Sequence, residues 1–509
     1  MLSKINSMGL SGIDGYLVSV ETDISNGMPA FDVVGLPDAA VKESKERVRS
    51  AIKNCRFSFP TRRITVNLAP ANIKKAGPIY DLPICIGLLM SSGQLTADLT
   101  DYALIGEIAL SGDLRPVDGA LPMAICAKES GIKNLIVPFE NAKEAAVVKG
   151  INVFGAKNLI DIIKHFTTED KLSLENIDID EIFSKQSKTI MDFDEVKGQE
   201  NVKYALEIAA SGGHNCLLIG SPGSGKTMLA QRLPSILPQL TFDEALEVTK
   251  IHSIAGLLPR DVPLITTRPF RNPHHTVSVN GLSGGGTMPR PGEISLAHNG
   301  VLFLDELPEF KKDALEVLRQ PLEDGVVTIS RVNATLTYPS SAMLVAAMNP
   351  CKCGYYGDPS RKCTCTEQQI KNYLSRISGP LLDRIDLHIE VPAVKYRDLT
   401  DKSEVESSSV VRKRVEKARK IQEARFRGEK NIHCNAQMTP KMVEEFCRLN
   451  EEEEKLLKTA FVNLGLSARA HNRILKVSRT IADLNGSESI KKEHLAKAIF
   501  YRSLDRKYW

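Results

Sequence analysis

The sequence predicts an α/β protein whose middle third is a nucleotide-binding domain built on a parallel sheet. Three observations predict it. The stretch Gly220, Ser221, Pro222, Gly223, Ser224, Gly225, Lys226, Thr227 fits the phosphate-binding pattern G-x-x-x-x-G-K-[ST] without mismatch, between an apolar run at Cys216–Ile219 and a helical stretch at Met228–Leu233. A second apolar run, Val301–Leu304, ends in two carboxylates, Asp305 and Glu306, as a buried parallel strand ending at a ligand would. The flanking thirds read differently, with strand-like alternation before the motif and helical periodicity after it.

The chain has 509 residues, enough for about three or four domains of ordinary size. Hydrophobic residues make up 42% and charged ones 25%, a globular balance without extended disorder. With 66 basic and 62 acidic residues the net charge is +4, so any nucleic-acid surface must be a local patch. The start, Met1-Leu-Ser-Lys-Ile, lacks a secretory pattern, and no run approaches the ~18 apolar residues of a spanning helix. We expect a cytoplasmic protein with no membrane partner, in which the ten cysteines serve as thiols or metal ligands rather than disulfides.

Residues 1–165 read as a mixed α/β domain, with strands at Tyr16–Glu21 and Ile64–Leu68 and a helix over Ala39–Asn54. Residues 166–191 lose periodicity and are rich in Asp, Glu, Lys and Ser, the composition of a linker. Residues 192–394 form the nucleotide-binding domain. From 395 to 509 the period is helical, most clearly over Glu451–Leu464, Ala468–Leu484 and Ile490–Leu504.

Each residue of the phosphate motif has a chemical task. Gly220, Gly223 and Gly225 allow backbone angles closed to other residues, so that N–H groups turn inward around a phosphate at a helix N-terminus. Lys226 pairs with the β and γ oxygens of ATP, and the Thr227 hydroxyl is a ligand for Mg²⁺. Asp305 is placed to hold the Mg²⁺ shell and Glu306 to orient and deprotonate the attacking water. After a further strand at Ala342–Val345, Asn349 offers an amide able to polarise that water.

Several stretches carry resemblances. Asn67 to Ile84 and Gly106 to Ala120 resemble the proteolytic domain of Lon-type proteases, but Ile79 stands at the serine position and Leu121–Ile125 contains no lysine. A Ser–Lys mechanism needs both groups, so the resemblance implies the fold without proteolysis. Asn349, Arg384 in Leu381-Leu-Asp-Arg-Ile-Asp, and Arg469 in Leu466-Ser-Ala-Arg resemble sensor 1, an arginine acting in a neighbouring subunit's site, and sensor 2 of AAA+ proteins. Pro273-His-His-Thr, Gly281-Leu-Ser-Gly-Gly-Gly, and Pro291 through Glu306 resemble the Mg-chelatase-like branch of AAA+ ATPases; with the Lon-like block, the whole chain resembles the ComM/YifB-type proteins. The resemblance implies a homo-hexameric ring, ATP hydrolysis at subunit interfaces, a helical lid after the ATPase core, and translocation or branch migration on single-stranded or branched DNA beside recombination proteins. The competing reading is a motor subunit that remodels a partner for metal insertion into a porphyrin, for which the Lon-like block has no use.

Two inserts are candidate DNA segments: Arg268–Gly286, with Arg271, His274 and His275, and an alternating hairpin at Asp324–Pro339 with Arg331. For the two histidines, ordering of the loop by hydrogen bonds is an equal alternative. Val411–Lys430 carries nine basic against three acidic residues and reads as a solvated helix face ahead of a phosphate-binding one. Finally, Cys351, Cys353, Cys363 and Cys365 bring four thiols onto one excursion; they read either as a Zn²⁺ shell or as reduced, unliganded thiols.

Overall fold

The computed structural model describes residues 2–185, 191–286, 289–331, 334–359, 361–394, 397, 405–429, 432–502 and 504. The chain divides into two compact units, Met1–Lys185 with Phe242–Thr266, and Gln186–Thr241 with Thr267–Trp509. The range 192–394 is therefore not continuous. Its segment Phe242–Thr266 belongs with the N-terminal unit, where Ala245, Val248 and Ile251 of the helix Phe242–Ile254 are buried and Ser253 donates to Glu144. None of the described helices is long and apolar enough to cross a membrane.

The first unit is built on a seven-stranded mixed sheet. Its order is Ala30–Val34, Arg63–Ala69, Asp14–Ser25, Leu2–Ser11, Tyr102–Leu104, Asn134–Pro138, Asn152–Ala156. The expected strands fall inside Asp14–Ser25 and Arg63–Ala69, which pair antiparallel. The helix Ala39–Asn54 has the expected ends, because the Asp38 side chain accepts from the Val41 N–H. The Lon-like stretches form core: Ile79 is buried, and Leu121, Met123 and Ala124 are buried on the helix Ala120–Glu129.

The second unit holds a five-stranded, wholly parallel sheet ordered Phe270–Arg271, Val301–Leu304, Met343–Met348, Cys216–Ile219, Leu387–Glu390. Every residue of the three middle strands is buried, which is why these strands read as unbroken apolar runs. Their register sets the site. Ile219 lies opposite Met348 and Leu304 opposite Ala346, so the chain leaves the same sheet edge at Gly220, Asp305 and Asn349.

The C-terminal helices join the core of this unit, since Val415, Ile474, Ile481 and Leu495 belong to one buried cluster with Leu218, Leu229 and Phe303. Two helices keep the expected limits, Glu451–Leu464 behind the Asn450 cap and Ala468–Leu484 behind Ser467. The last is shorter than its pattern, spanning Lys492–Phe500. The basic helix, Ser408–Arg425, is not simply a solvated face. Lys413, Lys417 and Lys420 are exposed, but Arg414 pairs with Glu207, Arg419 donates to the Ala210 carbonyl and Arg425 pairs with Asp483. The arginines fasten this helix to its own unit. The hairpin forms as read, with Val326–Arg331 antiparallel to Ala334–Pro339.

Candidate nucleotide site

The phosphate loop bridges the strand Cys216–Ile219 and the helix Lys226–Ile236. Gly223 and Gly225 have φ of 78° and 87°, and a Cβ at either would meet no atom within 4 Å. Conformation, rather than crowding, is what requires glycine there. The side-chain amide of Gln199 donates to the Ser224 carbonyl (2.6 Å) and to Pro392 (3.1 Å), tying the loop to the end of the neighbouring strand.

Lys226 is buried, and its ammonium donates to the carbonyls of Gly220 (2.8 Å) and Ser221 (3.0 Å) and to Asn349 Oδ1 (3.2 Å). Burial lowers its pKa, with the Asp305 charge opposing that shift. Thr227 Oγ1 donates to Asp305 Oδ2 at 2.7 Å. A hydroxyl and a carboxylate side by side at a helix N-terminus are a hard-oxygen donor pair suited to Mg²⁺. Lys226, Thr227, Asp305 and Asn349, distant in sequence, thus form one hydrogen-bonded group.

Glu306 has a φ of 52° and its N–H donates to Asp305 Oδ1 (2.9 Å). A left-handed glutamate is a strained conformation, of the kind retained where a site needs a side chain aimed off the strand direction. It is aimed at a histidine: His275 Nδ1 lies 3.3 Å from Glu306 Oε2. The His274 and His275 rings lie with centroids 4.1 Å apart, tilted 34° to each other, and His274 Nδ1 bonds Thr276 Oγ1 at 2.9 Å. Loop ordering therefore describes His274, whereas His275 contacts the carboxylate proposed to handle the water.

The remaining site residues assemble elsewhere in this unit. Arg384 is buried, 2.5 Å from Glu323 Oε1, and donates to the Pro380 carbonyl (2.7 Å). Glu323 has a lowered pKa, chiefly from Arg384, with Arg469 and Arg473 adding to it. Arg469 is exposed in the first turn of its helix. Among the described residues, no hydrogen bond or ion pair joins Arg384 or Arg469 to the loop Gly220–Thr227. Arg271 is held by both oxygens of Glu293, at 2.6 and 2.8 Å, so its guanidinium is engaged within the chain. Arg331 ends its strand, and its side chain lies outside the described residues.

Sequence reasoning did not find Gln199, Glu323, or the buried group around Asp386, which is bonded by Asn215 N–H (3.1 Å), His214 (3.4 Å) and Arg473. Their partners lie many residues away, and although Asp386 closes the stretch quoted for Arg384, nothing in that stretch marks what it bonds. The four cysteines, by contrast, do converge. Cys351, Cys353 and Cys363 have sulfurs 3.3, 3.7 and 3.5 Å apart, and all four sulfurs lie within 4.8 Å of one another.

Comparison with known proteins gives matches along most of the chain. Residues 192–399 match the family model described as magnesium chelatase, subunit ChlI; residues 20–141 match subunit ChlI of Mg-chelatase, and 405–502 its C-terminal part. The competence protein ComM of Haemophilus influenzae is 45% identical over 99% of this chain and 98% of its own length. The uncharacterized protein YifB of Escherichia coli is 44% identical over the same shares. Lon protease 2 of Bacillus subtilis is 29% identical over 24% of this chain and 22% of its own.

Proposed function

Since the chain belongs to the ComM and YifB family of Mg-chelatase-like AAA+ ATPases, we propose that it works as a homo-hexameric ring that hydrolyses ATP to move DNA, by translocation or branch migration during recombination of incoming strands. The observation that carries this reading is similarity over nearly the full length of both chains to a protein named for competence.

The residues divide the work by charge and position. The loop Gly220–Thr227 holds the phosphates through N–H groups and the helix N-terminus, and Lys226 turns its ammonium from loop carbonyls to the β and γ oxygens. Thr227 and Asp305 would hold Mg²⁺, which would supply positive charge against that developing on the transferred phosphoryl group. Glu306, aligned by His275, takes the proton of the attacking water, and Asn349 orients that water. Arg384 of an adjacent copy is the candidate for charge stabilisation in trans, which requires it to leave Glu323; Arg469 lies beside the same glutamate and is the candidate sensor of the nucleotide state. The hairpin with Arg331 is the candidate DNA contact.

The second reading, a motor for metal insertion into a porphyrin, is favoured by the naming of all three matching domains for the chelatase subunit ChlI. ATPase rates of the full chain with no DNA, single-stranded DNA, forked DNA and duplex separate the two. Stimulation by single-stranded or forked DNA supports the DNA motor. Absence of binding to every DNA form at low salt would sink it.

A further inference from the structure

The cysteine excursion touches the nucleotide loop. The chain leaves the strand Met343–Met348 at Asn349, the residue that bonds Lys226, and reaches Cys351 two residues later. Gly354 closes the first turn, its N–H donating to the Cys351 carbonyl at 3.0 Å, with φ of 88°. A Cβ at Gly354 would lie 2.5 and 2.6 Å from Cδ and Cγ of Pro222, so the backbone of this turn rests directly on the proline ring inside the phosphate loop.

The sulfur arrangement is that of ligands around one small ion. Four thiolates at a Zn–S distance of ~2.3 Å place neighbouring sulfurs about 3.8 Å apart at the corners of a tetrahedron. The observed 3.3, 3.5 and 3.7 Å, with all four inside 4.8 Å, match such a shell and are too tight to enclose a multi-iron cluster. Backbone N–H groups point at the sulfurs: Cys353 N–H toward Cys365 Sγ and Cys365 N–H toward Cys363 Sγ, each at 3.4 Å. Such bonds orient the sulfurs as outer partners of a metal site do. All ten cysteines are unpaired, so the four remain thiols available to a soft divalent ion.

We propose that Cys351, Cys353, Cys363 and Cys365 bind one Zn²⁺ per chain, and that the loaded knuckle braces Pro222, so that zinc occupancy sets the shape of the phosphate loop and with it nucleotide affinity. The four thiols release their protons to solvent as the metal enters, and no redox change takes place. The brace rests on the nucleotide-site reading, whereas the metal count does not. Without metal, the turn Cys351–Gly354 loses its anchor to Cys363 and Cys365, and the surface on which Pro222 sits loses its fixed position.

The test uses the full-length chain purified without chelator. Elemental analysis is expected to give about one zinc per chain in wild type and in Lys226→Ala, and under about a fifth of that in a Cys363→Ser/Cys365→Ser variant. Co²⁺-loaded wild type should show the intense visible bands of a tetrahedral four-thiolate site, a readout that needs no variant to fold. Fluorescent ADP should bind the double variant about tenfold more weakly, and Gly354→Ala should weaken it similarly while keeping its zinc, since small displacements of a positioned group are amplified in the site it supports. Wild type with four freely titrating thiols and no metal overturns the site, and one iron per chain overturns the choice of zinc. Unchanged ADP affinity in the zinc-free variant overturns the brace, even if ATP hydrolysis and zinc binding both hold.

Discussion

His275 Nδ1 lies 3.3 Å from Glu306 Oε2, which ties the carboxylate proposed as the base to a loop that precedes it by some thirty residues. The histidine fixes the side chain of a glutamate whose backbone is already held in the left-handed region. His275→Ala should therefore lower kcat by about tenfold or more while leaving the KM for ATP in place, as expected when orientation alone is lost. Steady-state ATPase kinetics decide it; a rise in basal turnover would mean that the histidine restrains the glutamate instead.

Lys226→Ala and Glu306→Gln should fail in different ways. The first removes the cation that meets the phosphates, so fluorescent ATP binding itself should be lost. The second keeps Lys226, Thr227 and Asp305 in their hydrogen-bonded group and should bind ATP normally without turning it over. Normal hydrolysis by Glu306→Gln would remove it from the role of base.

Arg384 is expected to act across a subunit interface. Arg384→Ala should assemble with nucleotide yet hydrolyse about 10³-fold more slowly, the scale of an arginine supplied in trans. Mixing it with Glu306→Gln should restore activity, because a hybrid interface can join an intact arginine to an intact base. No rescue in rings verified as mixed by native mass spectrometry would confine Arg384 to its pair with Glu323.

Binding of DNA is expected to fall steeply with salt and to depend little on sequence, since a motor that grips base edges would stall at each step. Arg331→Ala should weaken unrelated sequences alike and flatten the plot of log affinity against log salt by roughly one unit for each phosphate that the arginine neutralises. Arg271→Ala should leave that slope unchanged and instead lower thermal stability, because it strands Glu293. Fluorescence anisotropy across a salt series distinguishes the two.

Stability of the ATPase unit should decline as pH falls below ~6.5. Burial pushes the His214 pKa below its ordinary 6.5, with Asp386 opposing. The unfolded chain then takes up a proton that the folded one resists, and stability is lost on the acid side at up to about 1.4 kcal/mol per pH unit. Burial works against ionisation of Asp386, but Arg473 and His214 hold its carboxyl below the usual range, which adds a further loss below pH ~4. His214→Gln should flatten the upper part of the profile in thermal melts from pH 8 to 5.

Much of the site could be read from the chain because its signals are local. The strand Cys216–Ile219, the glycines of the loop and the helix after it are specified within a dozen residues, as are the helix limits at Asn54, Leu464 and Leu484. The four cysteines were visible for the same reason. The intrachain partners of Arg271, Arg384 and the arginines of Ser408–Arg425 were not legible, because a guanidinium looks the same in sequence whether it faces a phosphate or Glu293, Glu323 or Glu207.

What the sequence by itself determined is the chemistry available: a loop for phosphates, a pair of acids, an amide and four thiols, each recognisable because short-range backbone preferences and hydrophobic period set its local conformation. What only the tertiary structure decided is which of these meet. The parallel register that puts Ile219 opposite Met348 brings Asn349 to Lys226, and the crossovers of the same sheet bring His275 to Glu306 and Gly354 to Pro222. The packing of Phe242–Thr266 with the N-terminal unit is likewise a matter of which apolar faces match, and such complementarity between segments far apart in the chain leaves no periodic trace in either of them.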